Sequence, residues 1–274
     1  MLLETQAIIL AGQKLGEADT LVTLLTFDHG LLKGVAKGAR RMKSRFGSAL
    51  QPFSYGQAIL FGTRPTVLRR VNYVDSIHSF RGLRENFDRI MRAATMANAT
   101  RTLLPEEQPS RETFTLLLRA FRALEDGEDG ARVVLFFLLA LLRAAGYQPR
   151  VDRCLVGRHP FSDSMSARAT RWFFVPQLGG TVCASCHADL ASSVGPTERP
   201  SAVPLSSGAH AFLRQAVRMP SSLRDRLKVD GPLLQEVQSL IDACLAARAR
   251  RVIKRPIPFT PRDAAPAGVG PRHG

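Results

Sequence analysis

The chain has 274 residues and a mass of 30.0 kDa, which leaves room for one to three domains of ordinary size. With 45% hydrophobic and 22% charged residues, its composition is that of a globular protein and excludes the disordered and collagen-like classes. The 38 Lys and Arg residues exceed the 23 Asp and Glu residues by 15, an excess that favours a polyanionic partner such as nucleic acid.

Short runs rich in Leu, Ile, Val and Thr predict five β-strands in the first quarter of the chain. They are Thr5 to Leu10, Leu21 to Thr26, Leu31 to Ala36, Gln57 to Phe61 and Val67 to Val74. Because no helix-length amphipathic stretch separates them, we expect antiparallel pairing and closure into a barrel, which removes free strand edges. We assign residues 1–78 to an OB-fold β-barrel domain, with an SH3-like barrel as the alternative.

From about Phe80 the hydrophobic period becomes helical. Predicted helices run from Arg84 to Leu103, from Ser110 to Gly127, and from Ala131 to Gly146, in residues 79–150. Ser110 is expected to cap the second helix and Gly127 to end it. The third is apolar nearly all round, so we expect it at the centre of a bundle.

Two later helices, Gly208 to Val217 and Leu233 to Ala249, are predicted to complete the helical domain in residues 193–255. Between the two parts lies a cysteine-bearing module, residues 151–192, with a short strand from Arg171 to Val175. Residues 256–274 are rich in Pro and Gly and are expected to be disordered.

Positive charge is concentrated between Leu31 and Val74, where nine bases occur without one Asp or Glu. We assign DNA contacts to eight of them: Lys33, Lys37, Arg40, Arg41, Lys43, Arg45, Arg69 and Arg70. Gly34 and Gly38 predict a pliable loop whose cations bind phosphates, with an affinity that falls as salt rises. The aromatic residues that follow, Phe46, Phe53 and Tyr55, are either platforms for stacked bases or barrel core.

Cys183 and Cys186 have the two-residue spacing of a zinc-binding turn, and Cys154 lies upstream. Position 157, where a second such turn needs a cysteine, is Gly157. His159 is therefore the preferred fourth ligand of one structural zinc, since His187 directly follows Cys186 and adjacent side chains rarely reach one ion. A redox pair and a module that has lost its metal are the alternatives. Cys244 is expected in a helix core.

No catalytic motif is found in the sequence, neither a nucleotide-binding loop nor a nucleophile elbow. We therefore expect a protein that is not an enzyme. Four acids near the basic segment, Glu4, Glu17, Asp19 and Asp28, are assigned to turns and caps rather than to a nuclease metal site.

The first dozen residues lack the features of a secretory signal, and the apolar run from Val133 to Leu142 has about half the length of a membrane span. The cysteine usage is typical of an intracellular metal site rather than of extracellular disulfides. These features predict a cytoplasmic protein with no membrane partner.

The segment IILAGQKLGEADTLVTLLTFDHGLLKGVAKGARRMKSRFGSALQPF resembles the N-terminal domain of the bacterial RecO family of DNA repair proteins. Its most specific strings are GEAD, LLT, HG and AKGARR-x-KSRF. The order of domains and the GG-x-x-C-x-x-C motif at Gly179 to Cys186 extend the resemblance over roughly residues 3 to 255. It implies an α+β multidomain protein with an OB-fold domain, a helical domain and a zinc-finger-like module.

The resemblance also implies a function, partners and a nucleoid-associated location in the cytoplasm. Members of this family are recombination mediators that bind single- and double-stranded DNA and anneal complementary strands. They act with RecR to load RecA onto DNA coated by single-strand binding protein (SSB), and they dock the acidic SSB C-terminal tail. An RNA-binding or transcription-associated zinc protein is the alternative, and it would prefer RNA because of ribose 2′-OH contacts.

Overall fold

A computed structural model describes residues 2–62, 68–160, 172–193, 201–219 and 227–253. In chain order its elements are β1 (Leu2–Leu15), β2 (Asp19–Thr26), β3 (Gly30–Ala36), β4 (Tyr55–Phe61), β5 (Arg69–His78), α1 (Arg81–Arg84), α2 (Phe87–Leu103), α3 (Arg111–Glu125), α4 (Gly130–Ala144), β6 (Trp172–Val175), β7 (Gly180–Cys183), α5 (Ala184–Ser193), β8 (Val203–Leu205), α6 (Ser207–Arg218) and α7 (Gly231–Ile253). This is an α+β protein. Of the described helices, none has the length and apolar character needed to cross a membrane. The predicted tail, residues 256–274, lies outside the described residues.

The five N-terminal strands close into a barrel in the order β1-β2-β3-β5-β4, as the sequence predicts for strand number and closure. Alternate apolar side chains point inward and form one buried cluster, because successive residues of a strand face opposite sides of a sheet. Its fully buried members include Ala7, Ile9, Val22, Leu24, Leu60 and Val71.

The expectation that all strands pair antiparallel is wrong, because β3 and β5 pair in parallel at Gly34 with Arg69 and at Val35 with Arg70. A closed ring of five strands has an odd number of members, so the strand directions cannot alternate at every pairing. Gly34 lies at this parallel contact: a Cβ atom there would be 2.9 Å from Val71 Cγ2. It therefore allows β5 to approach β3 and does not loosen the following loop.

Helix α4 lies at the centre of the helical domain, as predicted. Its residues from Val134 to Leu142 are buried, and it packs against α2, α3 and α7. The predicted first helix is interrupted, because Asn86 accepts the backbone N–H of Arg89 and starts α2 there. Ser110 does not cap α3 as expected: its hydroxyl donates to Thr113 Oγ1 at 2.8 Å instead.

The cysteine module contains a three-stranded sheet with the strand order β7-β6-β8. Helix α5 begins in the chain directly after β7. Strand β8 lies in a stretch rich in Ser and Pro, Ser192 to Ser207, for which the sequence predicts no strand. Its Leu205 pairs with Trp172 of β6. The buried side chains of Trp172, Phe174 and Val182 belong to the same apolar cluster as α4. The module is therefore packed on the helical bundle.

Aromatic rings join the barrel to the helices. The Phe53 and Phe80 rings both contact the Phe121 ring edge-on, at centroid distances of 5.5 and 5.7 Å. The Tyr55 ring contacts the Phe114 ring in the same way at 6.2 Å. Such pairs add to the free energy gained from burying the rings. One outer face of the barrel and the helical bundle consequently share a core, which is separate from the cluster inside the barrel.

Candidate nucleic-acid interface and cysteine cluster

Residues 37–45, here called the basic loop, connect β3 to the turns that lead into β4. The loop is anchored, not pliable as expected. The Gly38 N–H donates to Asp19 Oδ1 at 2.8 Å, and the Arg40 N–H donates to the Ala18 carbonyl at 2.9 Å. Directly after the loop, Phe46 and Ala49 insert into the barrel core. This burial fixes the loop across one end of the barrel.

Five cations of the basic loop are exposed: Lys37, Arg40, Arg41, Lys43 and Arg45. None of the ion pairs found within the described part of the chain involves them. Arg40 also has a structural role, since its Nη1 donates to the carbonyls of Gly16 and Glu17 at 3.2 and 2.9 Å. The loop thus presents a compact cationic surface to solvent.

Lys33 and Arg69 lie in a different environment. Lys33 Nζ pairs with Glu106, and Arg69 Nη2 pairs with Glu107 at 2.8 Å. Both glutamates follow α2, and the Glu107 N–H donates to the Leu31 carbonyl of β3 at 2.9 Å. The charges of these two bases are therefore balanced by carboxylates of the helical domain, and both hold that domain on the barrel.

Arg70 is exposed and lies close to the basic loop. Its Cα pairs with that of Val35, two residues before Lys37, and with that of Phe61 on the opposite side. The structure thus brings six exposed bases of the predicted set to one end of the barrel. The remaining two bases of the predicted set, Lys33 and Arg69, form the ion pairs between the barrel and the helical domain.

The aromatic residues that follow the loop are core residues, which resolves the alternative left open by the sequence. Phe46 is buried inside the barrel, and Phe53 is buried against the helices. Tyr55 is buried as well, and its hydroxyl donates to Gln6 Oε1 at 2.9 Å. These three rings are not available to stack on bases.

The acids near the basic segment do not gather into a metal site. Asp19 accepts the Gly38 N–H, and Asp28 pairs with Arg111 at 2.8 Å. Over the described ranges, the group of side chains that could hold a metal ion consists of cysteines.

That cysteine cluster joins two segments of the module. The Sγ atoms of Cys154, Cys183 and Cys186 all lie within 4.8 Å of one another, close to the span of about 4 Å between two sulfurs bound to one zinc. The Gly157 N–H donates to Cys154 Sγ at 3.4 Å, so the chain turns around this sulfur as in a metal-binding knuckle. Three predicted ligands are thereby brought together.

The thiol environments differ within the cluster. Burial by itself raises the pKa of the Cys183 thiol, but hydrogen bonds from Ser185, from the Cys186 backbone and from the two other thiols lower it to about 6. The hydrogen bond with Cys183, together with burial, raises the pKa of Cys186 to about 11. One thiol of the cluster is thus predisposed to be the thiolate that zinc requires.

His159 lies next to the place where a fourth metal ligand would complete the three-cysteine cluster. A Cβ atom at Gly157 would lie 3.0 Å from Cys186 Sγ and 2.6 Å from His159 Nδ1, so position 157 faces the cluster. The His159 nitrogens themselves lie outside the close group of sulfurs. His187 stacks on the Phe173 ring at 4.4 Å instead. Cys244, as predicted, is buried in the helical core.

Comparisons with known proteins give consistent results over both halves of the chain. The family model described as "Recombination protein O N terminal" matches residues 1–80, and the model described as "Recombination protein O C terminal" matches residues 84–255. A protein of Rubrobacter xylanophilus named DNA repair protein RecO is 35% identical over 220 residues, which cover 80% of this chain and 82% of that protein.

Two further relatives bear the same name. The protein of a Nocardioides species is 33% identical over 257 residues, covering 93% of this chain and 97% of its own length. The protein of Myxococcus xanthus is 34% identical over 230 residues, covering 82% of this chain and 87% of its own. The similarity therefore extends over the barrel, the helices and the cysteine module.

Proposed function

The chain belongs to the recombination protein O (RecO) family, and from this membership we propose that it is a recombination mediator in DNA repair. In this proposal it binds and anneals single-stranded DNA, and with RecR it helps load RecA onto DNA coated by SSB. One observation carries the proposal within this chain: one anchored loop of the barrel bears five exposed cations that form no ion pair with any acid among the described residues.

The barrel topology supports the assignment of an OB-fold. Five strands close in the order β1-β2-β3-β5-β4, with four antiparallel pairings and one parallel pairing between β3 and β5. OB-fold barrels are five-stranded Greek-key barrels that bind oligonucleotides on their strands and loops. The basic loop would then be one wall of the DNA-binding surface.

The anchored loop has a direct consequence for DNA binding. Because Asp19 and the buried Phe46 fix the backbone of the loop, this backbone is already ordered before DNA arrives, and the loss of backbone entropy on binding is small. Contacts to phosphates release condensed counterions and do not read bases. The same loop therefore serves single- and double-stranded DNA.

Annealing follows from the same charges. Two complementary strands repel each other through their phosphates, and a cationic surface that binds both reduces this repulsion. No nucleotide hydrolysis is needed for this step, and no nucleotide-binding motif occurs in the sequence. We assign the phosphate contacts to the five exposed bases of the basic loop together with Arg70.

We also assign one structural zinc to the cysteine cluster, held by Cys154, Cys183 and Cys186, with His159 as the fourth ligand. The converging sulfurs and the lowered pKa of Cys183 fit a thiolate site. When bound, the ion would tie the 151–160 segment to α5 and would take no part in DNA chemistry.

Strand annealing in the presence of SSB tests the proposal. The protein should accelerate pairing of complementary SSB-coated strands, and removing the acidic C-terminal tail of SSB should abolish the acceleration. Arg41→Glu combined with Lys43→Glu should prevent annealing, whereas Arg122→Glu with Arg143→Glu changes the net charge equally at exposed helical positions and should not.

Two results would contradict the proposal. One is annealing that is no faster with the protein than without it, and the other is full activity of the loop variant. Competition with a matched RNA strand separates the alternative function, because an RNA-binding protein would release DNA in favour of RNA.

A further inference from the structure

One part of the outer barrel surface is left open by the helical domain. Along β1, the outward side chains of Ile8 and Leu10 are buried in the core shared with the helices. At the opposite end of the same strand, Leu2 and Glu4 point outward into solvent. The exposed surface continues over β4, which pairs with this end of β1, and over β5, which pairs with β4.

Two aromatic rings occupy this open face. Phe61 on β4 is 49% exposed, and Tyr73 on β5 is 45% exposed. Among the described residues, one further Phe or Tyr is exposed to this degree, Phe87 on α2. Aromatic rings are large apolar groups that favour burial, so two of them side by side on an open sheet face indicate a surface that is covered by a ligand.

The rings lie in cross-strand rows with the cation of Arg70. Leu2, Phe61 and Arg70 are successive Cα partners across β1, β4 and β5. Leu60 and Val71, the next pair, face the barrel interior, and beyond them Ile59 is the partner of Tyr73. Phe61 and Tyr73 thus lie in neighbouring outward-facing rows of β4 and β5, with a register shift of the strand pair between the two rows.

We propose that Phe61 and Tyr73 form a stacking platform for the bases of single-stranded DNA whose phosphates are held by Arg70 and the basic loop. The proposal rests on the proposed function and deepens it by assigning the base contacts. A ring stacks on any base because every base has a π-face, so the platform needs no sequence preference.

The distribution of charge favours a nucleic acid strand on this face. Arg70 stands beside Phe61, and its other Cα partner, Val35, leads directly into the basic loop. The exposed acidic side chains lie away from Arg70: Glu4 is in the row of Ile59 and Tyr73, and Asp75 is in the next outward row. A strand would therefore place its phosphates toward Arg70 and Lys37, and its bases over the two rings.

The platform also explains how a loop that contacts phosphates could favour single strands. In a duplex, the bases are paired and stacked on each other, so their faces are not available to protein side chains. In a single strand they can be splayed onto rings. Phosphate contacts alone would not make this distinction.

The test compares an oligothymidylate with an abasic strand of equal length, using the full chain and fluorescence anisotropy. The two strands have the same phosphates and differ in their bases. The unaltered protein should bind the oligothymidylate more tightly. Phe61→Leu and Tyr73→Leu should each weaken this binding about fivefold or more and leave binding to the abasic strand unchanged.

Matched controls distinguish the loss of a stacking ring from a general change in apolar surface. Phe87→Leu makes the same change at an exposed aromatic side chain on a helix and should have no effect on either strand. Leu2→Ala alters the same open face without removing a ring and should also have no effect. Thermal unfolding of each variant shows whether the fold is retained.

Each outcome has a distinct meaning. The platform would be overturned if the folded double variant, Phe61→Leu with Tyr73→Leu, bound oligothymidylate as tightly as the unaltered protein does. This holds even if the double variant failed to bind a protein partner, because the exposed rings would then serve that partner and not DNA. If the unaltered protein bound neither strand at low salt, the proposed function itself would fail. Loss of preference for bases in the double variant alone supports the inference.

Discussion

Neutralising two cations of the basic loop gives the most quantitative test of the phosphate contacts. For single-stranded DNA, the logarithm of the binding constant falls with the logarithm of salt concentration by about 0.7 for each phosphate contact. The five exposed bases of the loop and Arg70 would together give a slope of about −4. Raising salt from about 50 to about 200 mM should then weaken binding about 300-fold.

The perturbation is Arg41→Gln with Lys43→Gln. Neither side chain makes a hydrogen bond to another described residue, in contrast to Arg40, which holds the β1–β2 turn. Losing two contacts should change the slope to about −3, so that the same increase in salt weakens binding only about 50-fold. Fluorescence anisotropy at a series of salt concentrations measures both slopes.

The control for net charge is Arg122→Gln with Arg143→Gln, which removes the same two charges from exposed helical positions. It should leave the slope unchanged. A loop variant that keeps the original slope, or a control that shifts it equally, would refute phosphate contact by the loop. Lys33→Gln should also leave the slope unchanged, because Glu106 already balances this charge.

Further predictions concern stability and the metal. Gly30 has φ +70, and a Cβ atom there would overlap the Gln108 carbonyl oxygen. Gly30→Ala should therefore lower the free energy of unfolding, measured in a denaturant titration, by more than about 2 kcal/mol. A loss below about 0.5 kcal/mol would contradict this contact. Burial raises the pKa of the Cys244 thiol to about 12, so the folded state favours the protonated thiol, and the stability this contributes below pH 9 is lost as the pH rises from 9 to 12. At about pH 10 the loss should be on the order of 1 kcal/mol, and Cys244→Ala should show no such loss when both proteins are unfolded at each pH. Elemental analysis should find about one zinc ion per chain, and Cys183→Ser should reduce it strongly; equal zinc in both proteins would place the ion elsewhere.

Local sequence patterns located most of the elements but did not show how the strands pair. Runs rich in Leu, Ile, Val and Thr located all five barrel strands, and the all-round apolar character of α4 located the central helix. The parallel pairing of β3 with β5 was missed, since it follows from closing an odd number of strands and not from any segment alone. Strand β8 was missed because it is short and lies in a Ser/Pro-rich stretch, where β6 provides its pairing partner.

The candidate DNA-binding surface also depends on contacts between distant segments, which the local sequence does not show. Counting charges located the basic loop, but the count could not show that Glu106 and Glu107, distant in sequence, balance Lys33 and Arg69. The aromatic residues nearest the loop were obvious candidates for base stacking, yet Phe46 lies inside the barrel. Phe61 is instead exposed, a position set by strand register and by which face the helices cover.

The central claim is that the basic loop contacts the phosphates of DNA, and chemical protection of lysines tests it most directly. Acetylation of Lys37, Lys43 and the exposed Lys228 would be quantified by mass spectrometry with and without a saturating oligothymidylate. We expect DNA to slow the acetylation of Lys37 and Lys43 and to leave that of Lys228 unchanged. Unchanged acetylation of both loop lysines while DNA is bound would contradict the claim.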